Sequence, residues 1–246
     1  MDRPHVVPAG QAEVLAALRL SAAAGPFFAV SHDRSVSTTD GPWLPGVALT
    51  EPGDELAVTI ETVRRWASGT RPRVAASLFF MSYTARLFSA AVAGVVLGGV
   101  LVDLRPHEWR YVPGTGLQLR LPVTRGWRPA PGAGPDVLLP VIGDELVDGR
   151  LAPMVDAIRA VVPVAAGLLW GNAASSLAGA LQGLAAAGVD VPRCRQVGDA
   201  LLALPRLDGA GAFVGRGLAF RRGSCCLFYL LPGSGKCSDC ALLPPR

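Results

Sequence analysis

VAASLFFMSYTARLFSAAVAGVVLGGV, residues 74–100, carries a single charged side chain, Arg86. The stretch reads as one long helix that begins after the break at Gly69-Thr70-Arg71-Pro72. Whether it lies in a protein core or in a bilayer decides the fold, because the mean hydropathy of the chain is +0.38. The uncharged run from Leu87 to Val102 has sixteen residues, fenced by Arg86 and Asp103. That is short of the ~20 residues a membrane span needs. A second uncharged run, Ala160 to Val189, is broken by Pro163, Asn172, Ser175, Ser176 and Gln182 and is rich in Ala and Gly. Both runs are expected to be buried helices of a soluble protein.

Outward from that helix, further elements follow from period and punctuation. A first helix is expected from about Ala9 to Ala24, ended by Gly25-Pro26, and a second from the acidic Glu51–Glu55 turn to about Ser68. Between them Ser31 to Gly53 reads as an irregular loop. Past Pro106, alternating apolar residues over Trp109 to Val123 flank Pro113-Gly114-Thr115-Gly116 and predict a β-hairpin. Trp127 to Pro135 reads as a linker. Helices are expected near Pro140 to Val162, Val164 to Ala187 and Gln196 to Ala203, and Leu218 to Leu231 looks extended. The fold class is therefore α+β, mostly helical, with a small antiparallel sheet and a cysteine-rich tail. The expected division is 1–50 for the N-terminal helix and irregular segment, 51–217 for the helical region with its hairpin near 109–123, and 218–246 for the tail.

The chain has 246 residues, enough for a sizeable core, and aromatic residues make up only 7%. Ala, Val, Leu and Gly must supply the apolar surface, which suits closely packed helices. The net charge of +4 is spread along the chain, and Lys236 is the only lysine. That distribution argues against a nucleic-acid partner. The opening residues, Met1 to Pro8, show no secretory signal, so the expected location is cytoplasmic.

Four of the five cysteines, Cys225, Cys226, Cys237 and Cys240, stand close together near the end of the chain. In a reducing compartment such a group points to a metal site more than to disulfides. Cys194 lies outside the group and reads as a packing residue. Cys237-Ser238-Asp239-Cys240 has the spacing that sends two sulfurs to one side of a turn. Adjacent Cys225 and Cys226 would point to opposite faces of a strand, so the backbone must turn there. A flat hairpin turning at Pro232–Gly235 would leave Cys226 and Cys237 roughly 13 Å apart at ~3.3 Å per residue. The segment must curl, and Gly233, Ser234 and Gly235 supply freedom for it. These thiols suit a 2Fe-2S cluster, whose irons each need two thiolates, or a zinc ion.

The spacing Cys225-Cys226, ten residues, Cys237, two residues, Cys240 resembles the C-terminal signature of the FhuF-type ferric-siderophore reductases. The setting, Arg221-Arg222-Gly223-Ser224 before the pair and Gly233-Ser234-Gly235-Lys236 before Cys237, is similar too. So are Arg73–Leu78 through Arg86-Leu87, and Leu169-Trp170-Gly171-Asn172-Ala173-Ala174-Ser175-Ser176-Leu177. The resemblance implies a cytoplasmic oxidoreductase whose 2Fe-2S cluster is held by the four cysteines. Its substrate would be a ferric siderophore, reduced by one electron to release Fe(II). Electrons would come from a separate donor such as a ferredoxin or flavin reductase, and the protein could touch an inner-membrane siderophore importer peripherally. A zinc-stabilised binding module and an iron-sulfur sensor are the competing readings, although no helix-turn-helix or concentrated basic helix supports the sensor.

Substrate-binding candidates are Arg86, a lone charge in an apolar helix that needs a partner, together with Trp170, Asn172 and Ser176. Asn172 and Ser176, four apart, would share a helix face. Arg222 and Lys236 join them and, with Arg221, would place positive charge beside the cluster and raise its potential. Arg64, Arg65, Arg71 and Arg73 form the densest basic group, a solvated helix end or a landing site for an anionic siderophore or a donor protein. Pro232–Lys236 lacks the first glycine and the Ser or Thr of a P-loop, and Gly209–Gly215 has one residue too many for a dinucleotide fingerprint. His5, His32 and His107 show no ligand spacing.

Overall fold

The computed structural model describes residues 4–32, 41–112 and 115–243. At its centre is α3 (Pro72–Gly98), opened by Pro72 in the first turn and closed by Gly99 at φ 62°. By length and composition this helix could cross a membrane, but 72% of its apolar window is buried inside the protein. Its surface is covered by α1 (Gln11–Ala23), α2 (Asp54–Trp66) and above all α6 (Ala166–Ala186). Both α3 and α6 are rich in Ala, Gly and Ser, so their backbones can approach closely. Asp54 and Glu55 in the first turn of α2 and Arg64 and Arg65 in its last complement the helix dipole.

The stretch expected as one helix from Pro140 to Val162 is α4 (Leu139–Ile142), nine π-helical residues (Gly143–Leu151) and α5 (Ala152–Val161). Helix α7 (Val191–Leu202) starts earlier than the expected Gln196, because the Asp190 carboxylate accepts from the Arg193 amide at 3.3 Å and caps it.

Among the described residues the strands are short and pair with one another antiparallel, and Ser31 adds an isolated parallel bridge to Arg120. β1 (Val6–Pro8), β6 (Gly126–Pro129) and β3 (Leu101–Val102) form one sheet with β6 in the middle. Trp127 to Pro129, expected as linker, is thus a central strand. The expected hairpin is β4 (Glu108–Val112) against β5 (Gly116–Arg120), with Trp109 opposite Leu119 and β2 (Leu44–Pro45) on its edge. Its Pro113 and Gly114 lie outside the described residues. β7 (Gly211–Phe213) pairs with β8 (Phe220–Arg222). Beyond β8 the chain leaves the extended form expected to Leu231. Leu227 sits at φ 65° and Phe228–Leu230 form a 3-10 turn.

One apolar core runs from Val14 through Leu49 to Phe220. A smaller one joins the α2–α3 corner (Ala67, Val74, Leu78) to Leu227, Phe228 and Leu231. The fold is mostly helical with small antiparallel sheets, as expected. Within the core, the Tyr83 hydroxyl donates to His107 Nε2, and His107 Nδ1–H donates to the Leu104 carbonyl. Burial, reinforced by the nearby Arg150 charge, pushes the His107 imidazole down to about 4.

Candidate metal centre

β8 ends at Arg222, and the backbone bends at Gly223 and Ser224 before the cysteine pair. The bend depends on a close approach: a Cβ on Gly223 would stand 2.7 Å from the Gly209 carbonyl oxygen. After Cys226, the positive φ of Leu227 and of Gly233 (72°) turns the ten-residue connection back on itself. The Cys226 and Cys237 sulfurs consequently lie 3.6 Å apart. Two thiolates about 2.3 Å from one tetrahedral metal are separated by about 3.8 Å, so this pair already has the bite of a ligand pair.

All four tail cysteines are free thiols. Cys226 and Cys240 are buried, Cys225 and Cys237 half-buried. Cys225 lies within electrostatic reach of both Cys226 and Cys240. The Leu227 amide donates to Cys225 Sγ and the Leu242 amide to Cys240 Sγ, each over 3.4 Å. Amide donors of this kind stabilise thiolates and help set the potential of a cluster they hold. Without metal, burial first and then the adjacent Cys226 sulfur drive the Cys237 thiol well above its usual range. Among the described residues, no three Cys, His, Asp or Glu side chains converge on a single ion.

A buried polar network fastens this loop to the helices. Arg222 Nε donates to Asp239 Oδ2 at 3.0 Å, and its terminal nitrogens donate to Asn172 Oδ1 at 2.8 Å and to Ser175 Oγ. Ser175 Oγ donates in turn to Asp239 Oδ2 at 2.5 Å. On the other flank Ser77 Oγ donates to the Cys226 carbonyl at 2.6 Å, while Asn172 Nδ2 donates to the Ser77 hydroxyl at 2.9 Å and carbonyl at 3.0 Å. Burial pushes the Asp239 carboxyl up, but the Ser175 hydroxyl and the Arg222 guanidinium outweigh it and hold Asp239 below the usual carboxylate range.

The other expected site residues fall into two groups. Asn172, Ser176 and Arg222, expected on a substrate pocket, are only 0%, 6% and 3% exposed. Ser176 Oγ bonds to Thr84 and the Met81 carbonyl, so Asn172 and Ser176 do share the helix face that meets α3. Arg86 and Trp170 are not gathered at the thiols, whereas Lys236 stands on the ligand loop next to Cys237. Arg86 holds the carbonyls of Pro26, Phe27 and Ala29 instead of a carboxylate. Trp170 lies under the Arg206 guanidinium, and exposed Lys236 donates to the Leu242 carbonyl at 3.4 Å.

Ser77, Met81, Ser175, Asp239 and the positive φ of Leu227 were not singled out from the sequence. Only Asp239, a carboxylate inside a four-thiol motif, carried a local signal. Met81 also lines a cleft of about 790 Å³ with Trp43, Arg86, Arg110 and Gln118, and its sulfur is 3.8 Å from an Arg222 nitrogen.

Comparison with protein families reaches this same tail. Residues 222–242 match the FhuF 2Fe-2S C-terminal domain. The matched segment contains the four cysteines, Arg222 and Asp239, and it does not extend into the helical body. No curated protein matches the chain. The FhuF-type domain indicates a 2Fe-2S cluster as cofactor, and the donor set fits one: four free thiols, one pair at ligand bite, and amides aimed at the sulfurs of the other two. Cys225, Cys226, Cys237 and Cys240 are the residues that would hold it.

Proposed function

We propose that this iron-sulfur protein reduces ferric siderophores by one electron and so releases Fe(II), in the cytoplasm. The observation that carries the reading is the FhuF-type tail with its four thiols, fastened to the helical core beside a large cleft. When bound, a 2Fe-2S cluster supplies one-electron chemistry. The chain contributes the rest. Arg222, Asp239 and Ser175 hold the ligand loop still, and Ser77 and Asn172 fix the Cys226 backbone. Met81 lines the cleft and its sulfur lies 3.8 Å from an Arg222 nitrogen, which links the cleft wall to the tail. In this reading Arg86 shapes the cleft mouth through the Pro26–Ala29 carbonyls, and Lys236 faces solvent beside the thiols.

Hard oxygen chelators hold Fe(III) tightly and Fe(II) poorly, so adding one electron to the substrate is enough to free its iron. No nucleophile or general base is required. The electron comes from a separate donor, a ferredoxin or flavin reductase, and an inner-membrane siderophore importer would deliver the chelate.

Protein purified without oxygen should be coloured and contain about two irons and two sulfides per chain. Reduction should bleach it, and a ferric hydroxamate siderophore should restore the colour as Fe(II) appears. One zinc with no iron or sulfide, in protein made under iron-replete anaerobic conditions, would refute the reading and leave a zinc-stabilised binding module.

A further inference from the structure

The smaller apolar core joins two surface features that are far apart in the chain. Ala67, Val74 and Leu78 pack on Leu227, Phe228 and Leu231, which places the α2–α3 corner against the loop that follows Cys226. The corner presents Arg65, Arg71 and Arg73 to solvent, and Lys236 is exposed on the ligand loop next to Cys237. The side chains of Arg71 and Arg73 make no ion pair or hydrogen bond among the described residues. The same two segments also expose large apolar side chains, Trp66 at 70% and Tyr229 at 42%. Exposed basic side chains together with exposed aromatics, on segments packed against the loop that follows Cys226, are the complement of an acidic protein surface.

We infer that this face docks an acidic one-electron carrier protein, with Arg65, Arg71, Arg73 and Lys236 steering it and Trp66 and Tyr229 forming the contact. The inference rests on the proposed redox role, in which a separate donor supplies the electron. In the step, the reduced carrier loses one electron, the oxidised tail gains it, and no proton or bond is exchanged. Lowering the salt lengthens the reach of these charges, from roughly 7 Å at about 200 mM to roughly 20 Å at about 20 mM. Binding should tighten accordingly.

The test uses the cluster-loaded protein and a reduced plant-type 2Fe-2S ferredoxin as the acidic probe, with affinity measured by calorimetry at both salt concentrations. Arg71→Glu with Arg73→Glu should weaken binding at least about 10-fold at low salt and flatten the salt dependence. Acidic residues suit a helix start, so α3 should still form. Arg159→Glu makes a like change at another exposed arginine and should alter binding less than about 2-fold. Unchanged affinity in the double variant overturns the inference. So does capture of the protein by phosphatidylglycerol vesicles, lost in the same variant, with no ferredoxin binding, which would make the face a membrane contact. Should the carrier bind as expected while no ferric chelate oxidises the reduced protein, the reductase reading fails and the docking face stands. If dithionite-reduced protein reduces ferric chelates but the double variant binds carrier like wild type, the reverse holds.

Discussion

Arg222 Nε and Asp239 Oδ2 meet at 3.0 Å, tying the residue three before Cys225 to the residue just before Cys240. The pair closes the ligand loop like a clasp, with both charges largely withdrawn from water, their side chains 2% and 16% exposed. Removing one partner leaves the other buried and uncompensated, which typically costs about 3–5 kcal/mol. Arg222→Met should therefore lower the unfolding midpoint strongly and lose cluster absorbance. Arg222→Met combined with Asp239→Leu should recover part of the stability, because the stranded carboxylate is gone. Equal stability of the single variant and wild type would contradict the clasp.

Each of Cys225, Cys226, Cys237 and Cys240 changed to Ser should lose or severely destabilise the cluster, read as the iron content and the visible spectrum of anaerobically purified protein. Cys194→Ser should retain both. Cys194 is fully buried in α7, far along the chain from the tail, and its effect should be confined to a modest packing loss.

Gly223→Ala tests the bend before the cysteine pair. The added methyl would meet the Gly209 carbonyl oxygen at 2.7 Å, and a backbone atom cannot swing aside as a side-chain tip can. We expect a stability loss of about 1–3 kcal/mol and reduced iron occupancy, because the displaced strand end carries Cys225 and Cys226 with it. Full occupancy in this variant would show that the tail tolerates a wider bend.

Acid should weaken the fold through His107. Its folded value of about 4 lies below the ordinary 6.5, so the unfolded chain binds a proton more readily than the native one. Stability is then unaffected above about pH 6.5 and falls as the pH drops from there towards about 4, by up to roughly 3 kcal/mol. Denaturant unfolding at several pH values should show this slope in wild type and a flatter one in His107→Gln. An identical slope in both would assign the acid sensitivity elsewhere.

Lys236 adds exposed positive charge beside Cys237, and positive charge favours the more negative, reduced state of a cluster. Lys236→Glu should lower the midpoint potential by tens of millivolts at low salt, where about 59 mV is a tenfold change for one electron. High salt should shrink the difference. A higher potential in the variant would count against this electrostatic role.

The helices were legible because their signals are local. The apolar run of α3 and the breaks at Gly69–Pro72 are written in consecutive residues, and so are the acids that open α2. The four thiols were legible for the same reason, since their spacing alone demanded a curl between Cys226 and Cys237. What pins the tail was not legible. Ser77, Asn172, Ser175 and Arg222 meet only when α3, α6 and β8 are packed, and no periodicity announces such a meeting. Leu227 was missed because a positive φ is rare in a residue other than glycine, and here its half-buried side chain packs on the small core of Ala67, Val74 and Leu78. Trp127–Pro129 looked like a linker because the neighbouring prolines and glycines hide a strand that tertiary pairing with β1 and β3 creates.

The hydrogen bond from Ser77 to the Cys226 carbonyl spans 149 positions of the chain. A ribosome working at ~5–20 residues per second delivers Cys226 roughly 7 to 30 s after Ser77. By then α3 has had ample time to form, and α6 has followed it out of the exit tunnel. The ligand loop is thus laid onto a scaffold that exists before it, so iron and sulfide enter a site whose helical support is already folded. Cells that run short of assembly factors should accumulate a folded, colourless form that can be loaded later.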